Sequence, residues 1–262
     1  MHIIIPTYRR DSQVTWSYLS KDARARTVFV VDERDKRRIY LMLRLEDTSF
    51  WVVPETVTTI AEKRAWIIEE SVRRGIDKIL MLDDDLRFAV RKDWNETKLT
   101  QATTADVDVV LAQVEELLTD FAHVGIGPRQ GNNTHGPNGN TKFKKMEIEP
   151  NDRMMYALGY RTDILIKNCI LNRVSLREDF DYNLQLLRKG FENRVIHTTV
   201  TDQKYNTMGG CHDQRTVEMS NEQASLLASL HPGLVKVVEK DYDVSTKRLE
   251  VIVQWKRALG AG

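Results

Sequence analysis

Short apolar runs alternate with amphipathic segments from the first residues of this chain. His2–Pro6 (HIIIP), Thr27–Asp32 (TVFVVD), Phe50–Pro54 (FWVVP) and Lys78–Leu82 (KILML) are rich in β-branched side chains and show no polar alternation. Continuous runs of this kind predict strands of a parallel sheet covered on both faces. A polar segment of helix length separates the first two. Before the fourth lies TTIAEKRAWIIEESVRRG, in which Ile60, Ala61, Ala65, Ile67, Ile68 and Val72 fall at helical spacing and Gly75 supplies the stop. The half ending near Asp85 therefore predicts β-α-β-α-β-α-β, a doubly wound, Rossmann-like α/β architecture.

Further along, Gln101 to Asp120, and especially ADVDVVLAQVEELLTD, predicts an amphipathic helix, and AHVGIGPRQGNN a strand running into a loop. Pro128 to Asp152 has no apolar periodicity and cannot build a core of its own, which marks a surface insertion. MMYALGYRTDILIKNC predicts two strands joined by a turn near Gly159 to Thr162. SLREDFDYNLQLLRKG predicts a helix capped by Ser175, with acidic residues in its first turn, Leu184 and Leu187 at helical spacing and Gly190 as its stop. A helix over Ser220–Leu230 follows, then LVKVVEK and RLEVIVQW as two strands or a strand and a helix.

Composition narrows the class. The chain has 262 residues, 41% hydrophobic and 29% charged, enough to bury a sizeable core. No run approaches the roughly 18 apolar residues of a membrane span, and MHIIIPTYRR is too short and too quickly charged for a signal peptide, so a cytoplasmic protein is expected. Cys169 and Cys211 form no CxxC pair, which fits a reducing compartment. A net charge of +1 gives no global field, so any nucleic-acid contact must come from a local basic face.

The strongest chemical signal is KILMLDDDLRF, where a strand runs straight into Asp83, Asp84 and Asp85. Open parallel sheets bind ligands at the carboxyl ends of their strands, and that rule puts PTYRR, DERD and DDD on one edge. A solvated turn would also tolerate three aspartates. The alternative is a site for a hard divalent cation, Mg²⁺ or Mn²⁺, which takes carboxylate oxygens together with phosphates and water. In an extended segment Asp83 and Asp85 share a side and Asp84 points away. In the Pro128–Asp152 insertion, Arg129, Lys142, Lys144 and Lys145 form either a solvated surface or a basic face for a polyanion. Glu178, Asp179 and Asp181 are either favourable charges at a helix N-terminus or a source of a general base. His2 and His231 read as structural. Adjacent Cys211 and His212 make a poor zinc pair, with no second Cys/His pair in sight.

Taken in order, IIIPTYRR, VVDERD, EKRAWIIE, MLDDDLRF and LREDFDYNLQLLRKGFENRVI resemble the nucleotide-sugar glycosyltransferases of the GT-A fold. That resemblance implies a metal-dependent transferase with a mostly parallel central sheet. It further implies that Pro6, Thr7, Tyr8, Arg9, Asp32, Lys63 and Arg64 hold the nucleotide, and that Asp83 and Asp85 hold the metal, with Asp84 near the sugar or ribose. Asp179 would be the base, with Glu178 as its close rival. His212 resembles the third metal ligand, with His197 and Asp202 as rivals, and Arg215 offers a diphosphate clamp. VGIGPRQGNN and the GG-x₄-R segment are similar to the TET-associated glycosyltransferases of bacteriophages. This implies a UDP-linked donor, UDP-glucose or UDP-GlcNAc, and a hydroxymethylated pyrimidine such as 5-hydroxymethylcytosine in duplex DNA as acceptor. Arg129, Lys142, Lys144 and Lys145 would then be the DNA contact, in an infected bacterial cytoplasm.

On this reading residues 1–216 form the transferase domain, with 1–90 binding the donor and 100–216 the acceptor, and 217–262 pack on it as an extension. A nucleotidyltransferase of similar fold should carry a glycine-rich loop after its first strand, which PTYRRDSQ lacks. A non-catalytic nucleic-acid-binding protein is the remaining alternative, and the retained acidic motifs argue against it.

Overall fold

The computed structural model describes residues 1–10, 12–43, 49–94, 98–130, 132, 146–203, 216–241 and 247–262. In chain order the elements are β1 (His2–Pro6), α1 (Val14–Tyr18), α2 (Lys21–Ala25), β2 (Thr27–Val31), α3 (Glu33–Leu43), β3 (Ser49–Val52), α4 (Ile60–Arg73) and β4 (Lys78–Leu82). Then come β5 (Leu86–Val90), β6 (Thr100–Gln101), α5 (Thr104–Asp120), β7 (His123–Pro128), β8 (Ile148–Pro150), β9 (Ala157–Arg161), α6 (Thr162–Asn168) and α7 (Glu178–Arg188). The chain closes with β10 (Asn193–Gln203), α8 (Val217–Leu230), β11 (Val235–Asp241), β12 (Lys247–Val253) and a 3₁₀ turn at Trp255–Arg257.

One sheet organises the molecule, in the order β3-β2-β1-β4-β9-β7-β10-β5-β6, with β8 also on β10. The pairs β3–β2, β2–β1, β1–β4 and β7–β10 are parallel, and the others in this sheet antiparallel. Seen along the sheet, β1, β2, β3, β4, β7, β10 and β6 run one way and β5, β8 and β9 the other. The near-continuous burial of β1, β2 and β4 follows from helices on both faces. Alternate residues divide accordingly. Ile3, Ile5, Phe29, Val31, Leu80 and Leu82 pack with α1, α2 and α5, while Ile4, Val28, Val30, Ile79 and Met81 pack with α4, α6 and α7.

Local chemistry explains where the helices begin. Thr59 and Glu62 form a reciprocal capping box at α4, as do Thr103 and Asp106 at α5. The expected pair of strands in MMYALGYRTDILIKNC is corrected to β9 followed directly by α6. Thr162 starts that helix, its Oγ1 donating to the Ile76 carbonyl at 2.6 Å and its N–H to the Asp77 carbonyl at 3.0 Å. A short apolar run such as ILI has no period that separates strand from helix, and these tertiary bonds decide it. Ser175 does not cap α7. Its N–H donates to Gln223 at 2.8 Å, and the residue before the helix is Arg177, left-handed at φ 66°.

β10 is irregular in a way that matters for the site. Against β7 its register passes from Ile196↔Ile126 to Val200↔Gly127, so His197, Thr198 and Thr199 bulge out of the parallel ladder. Beyond the bulge β10 continues antiparallel to β5 as far as Gln203↔Leu86.

The C-terminal segment is tied to α7. β11 and β12 form an antiparallel hairpin, and Leu184 and Leu187 of α7 pack with Leu227, Leu234, Val235 and Ala258. Beside them, buried Asp181 accepts from Arg173 Nη2 at 2.6 Å, Gln185 Nε2 at 2.8 Å and His231 Nε2 at 2.8 Å. Burial pushes this carboxyl upward, but the bonds from His231 and Arg173 together hold it below its ordinary range. Among the described residues no helix is long and apolar enough to cross a membrane. Asp181→Ala, which leaves Arg173 and His231 without their buried counter-charge, is expected to cost about 3–5 kcal/mol of unfolding free energy, measurable by denaturant titration.

Candidate active site

The carboxyl ends of β1 and β4 meet at Asp83–Asp85. Thr15 at the start of α1 fixes the backbone there: its Oγ1 donates to the Asp83 carbonyl at 2.5 Å and accepts from Leu86 N–H at 2.9 Å. Its own N–H donates to the Asp84 carbonyl at 3.1 Å.

Every carboxylate oxygen of the triplet has a protein donor. Arg64 Nη2 donates to Asp83 Oδ1 at 2.7 Å, and Arg10 donates through Nε to Asp84 Oδ1 at 2.9 Å and through Nη2 to Asp85 Oδ2 at 2.7 Å. Gln203 Nε2, at the end of β10, lies 2.9 Å from both Asp83 Oδ2 and Asp85 Oδ1. Asp84 Oδ2 accepts from the Thr7 hydroxyl, which itself accepts from Gln13 Nε2 at 2.8 Å. Asp83 and Asp85 thus converge on one point while Asp84 faces Thr7, the division that strand alternation predicts. Asp84 is buried, and burial pushes its carboxyl up to about 7 against the pull of Arg10 and Thr7, with Asp85 and Asp83 adding their repulsion.

Arg64 of α4 carries the site across to α7. It is 5% exposed, and its second arm, Nη1, donates to Glu178 Oε1 at 2.5 Å. Burial opposes its charge, yet Asp83, Glu178 and Asp179 raise its pKa overall. Glu178 is therefore committed to an ion pair. Its neighbour Asp179 is half-buried, and among the described residues its carboxylate accepts one hydrogen bond, from the Phe180 N–H at 2.9 Å. Burial, followed by the charge on Glu178, raises Asp179 above the usual carboxylate range, while Arg64 works the other way. Of the two, Asp179 is the one with an oxygen disposed to take up a proton.

At the end of β1 the Tyr8 ring lies under two cations, with Arg9 Cζ 4.9 Å and Lys63 Nζ 5.6 Å from its centre. Lys63 Nζ also donates to the Thr7 carbonyl at 2.8 Å. Pro6 ends β1 beside Val30 of β2. Asp32 accepts from the Asp35 N–H at 2.8 Å and so caps α3, while Asp35 Oδ2 accepts from Arg9 N–H at 2.7 Å, holding Arg9 at φ 50°.

The remaining candidates stand elsewhere. Arg129 follows β7 and reaches Asp202 at 3.4 Å in an exposed pair. His197 lies in the bulge, 1% exposed, with Nε2 3.1 Å from Asp152 and Nδ1 3.3 Å from Asn132 Nδ2, and is not among the partners of the triplet. Lys142, Lys144, Lys145, His212 and Arg215 lie outside the described residues. An open pocket lined by His2, Trp51, Arg74 and Asp77 occupies the opposite, amino-terminal edge of the sheet and shares no residue with the triplet.

Arg10, Gln203 and Thr15 are the site residues that sequence reasoning missed. Arg10 stands beside the selected Arg9, but in TDQK nothing marks Gln203, which meets the triplet only because β10 ends against β5. Among the described residues no group of three or more His, Cys, Asp or Glu is placed to hold a metal ion. Asp83 and Asp85, with one oxygen each on a common point, nevertheless offer the hard, paired oxygen donors that Mg²⁺ and Mn²⁺ use when phosphates and water complete the shell.

The family model described as TET-Associated Glycosyltransferase matches residues 1–210. The chain belongs to this family. The glycosyltransferase also aligns with the glucosyl-3-phosphoglycerate synthase of Mycobacterium tuberculosis, solved with Mn²⁺, UDP and phosphoglyceric acid, at TM-score 0.53 and 11% identity over 95% of this chain and 86% of that one. A mannosyltransferase from Pyrobaculum calidifontis, solved with GDP-Man and Mn²⁺, aligns at TM-score 0.54 and 14% identity over 87% of this chain and 63% of that one. At such identities the likeness establishes the shared α/β fold of the GT-A type. No curated protein matches the chain in sequence.

The raised Asp84 carboxyl has a thermodynamic sign. Its folded pKa of about 7 lies above the ordinary value of about 3.9, so the folded chain holds this proton more tightly than the unfolded one. Its contribution is full below about pH 4 and is lost as pH rises through about 7. Asp84→Asn is therefore expected to gain stability relative to wild type at pH 8 and not at pH 4, in chemical denaturation at both pH values.

Proposed function

We propose that this chain transfers a sugar from a UDP-linked donor, with Mn²⁺ or Mg²⁺, to the hydroxyl of a 5-hydroxymethylpyrimidine, 5-hydroxymethylcytosine, in duplex DNA. The observation that carries the reading is the convergence of Asp83 and Asp85 at the carboxyl edge of a parallel sheet, joined by Arg64 to the Glu178–Asp179 start of α7. The family name supports a TET-linked substrate, and Mn²⁺ with UDP in the mycobacterial neighbour supports the donor class.

In this reading Asp83 and Asp85 hold the ion, with His212 as a further ligand and Arg215 at the diphosphate. A bound divalent ion supplies positive charge to the departing diphosphate without proton transfer. Tyr8, with Arg9 and Lys63 over its ring, and Asp32 flank the nucleoside. Arg64 keeps Asp83 and Glu178 apart at fixed spacing. Asp179 accepts the acceptor's hydroxyl proton as the oxygen forms its bond to the anomeric carbon and the bond from that carbon to the diphosphate oxygen breaks. Attack from the face opposite the leaving group inverts the anomeric centre.

Residues 1–90 serve the donor, 100–216 the acceptor, and 217–262 brace α7 through Leu184, Leu187 and the Asp181–His231 bond. Arg129, exposed beside Asp202, together with Lys142, Lys144 and Lys145, gives the phosphate contacts of a DNA whose target base is turned out of the stack. A DNA acceptor of this kind places the enzyme in the cytoplasm of an infected bacterium.

Mass spectrometry of hydroxymethylated duplex DNA, incubated with Mn²⁺ and either UDP-glucose or UDP-GlcNAc, should show an added hexose or N-acetylhexosamine. Unmodified DNA with both donors would end this reading. Asp179→Asn should bind donor normally yet transfer at least about 100-fold more slowly. In the wild type kcat/KM should fall on the acid side at a pH above the ordinary carboxylate value, reflecting the raised Asp179 pKa.

A further inference from the structure

The acidic triplet is not paired with Arg64 alone. Arg10 lays the edge of its guanidinium across two of the three aspartates, Nε at 2.9 Å from Asp84 and Nη2 at 2.7 Å from Asp85. Its side chain is 13% exposed, and those of Asp84 and Asp85 are 6% and 8% exposed, so water does little to weaken the attraction. Asp85 has one oxygen toward Gln203 and the other toward Arg10. An ion on the point where Asp83 and Asp85 converge would sit one carboxylate away from a fixed positive charge. Two positive charges held that close repel strongly where water is largely excluded, and a divalent ion feels more than a monovalent one.

We infer that Arg10 competes with the divalent ion for Asp85, keeping the metal affinity of the bare protein low and making it depend on the nucleotide diphosphate. The inference rests on the metal-dependent reading above and adds a residue that sets how the metal is taken up. Arg10 holds the triplet's charge until an ion and a polyanion arrive together. The diphosphate then supplies the negative charge that lets the ion and the guanidinium share the site. By linkage, whatever factor the diphosphate adds to metal affinity, the metal adds to diphosphate affinity. Arg64 stands in a similar relation to Asp83, but its second arm, on buried Glu178 at 2.5 Å, ties it to α7, whereas both contacts of Arg10 are to the triplet.

Mn²⁺ binding followed by electron paramagnetic resonance, with and without UDP, tests this on wild type, Arg10→Met and Arg10→Lys. Arg10→Met should bind Mn²⁺ at least about 10-fold more tightly than wild type without UDP, and UDP should strengthen its binding less than it does for wild type. Arg10→Lys keeps the charge and should stay near wild type. Thermal unfolding of each variant reports whether the fold survives, and Arg10→Gln serves as a second neutral variant. A merely structural role for Arg10 would weaken Mn²⁺ binding in both neutral variants, and that outcome, or unchanged affinity in them, overturns the inference. If wild type binds Mn²⁺ with UDP while the neutral variants gain nothing, the metal-dependent reading stands and only the role of Arg10 falls. If no form binds Mn²⁺ under either condition, both fall.

Discussion

Mutual repulsion among three successive carboxylates is the constraint around which this structure is arranged. Asp83, Asp84 and Asp85 close β4 at its carboxyl end, and the fold brings donors to them from distant parts of the chain: Thr7 and Arg10 after β1, Arg64 on α4 and Gln203 at the end of β10. Each of those arrivals depends on a different strand or helix being in place. A like-charge triplet of this kind can be held out of water only where opposite charge and hydrogen bonds converge on it. The same convergence leaves one oxygen each of Asp83 and Asp85 sharing a point, the Gln203 amide nitrogen.

The parallel half of the sheet was legible because its signal is local. HIIIP, TVFVVD, FWVVP and KILML are continuous apolar runs, α4 has its capping box and its Gly75 stop, and the four strands lie where those runs predict them. The strand-end rule gathers Thr7 and Asp83 on one edge from sequence alone. What local pattern could not supply were choices made by tertiary bonds. The ILI run of α6 is set by Thr162 reaching the carbonyls of residues 76 and 77, and the start of α7 by Arg177 in a left-handed turn in place of a Ser175 cap. Gln203 was invisible for the same reason: its meaning depends on a pairing between β10 and β5 far apart in sequence. Sequence alone leaves Asp179 and Glu178 as alternatives, and the ion pair from Arg64 to Glu178 is the contact that separates their surroundings.

α7 stands between two cores. On one side Tyr182 and Leu186 join the cluster under β1 and β4, and on the other Leu184 and Leu187 join the C-terminal hairpin and α8. Its first turn carries Glu178 and Asp179 toward the triplet, so the extension is linked to that region through the placement of a helix. The bond from His231 to Asp181 and the ion pair from Arg64 to Glu178 hold that first turn from two sides.

The end of β10 gives the site a dependence on parity. Side chains alternate across a strand, so which face Gln203 presents is decided by how many residues separate it from the last pair with β7, Thr201↔Pro128. The two-residue step from Thr201 to Gln203, beyond the bulge, sets that count. A family member that lost or gained one residue there, with every acidic side chain intact, would turn the amide of this glutamine toward the opposite layer of helices and leave Asp83 and Asp85 without their common partner. Chain length in this stretch is thus under the same constraint as the identity of the aspartates themselves.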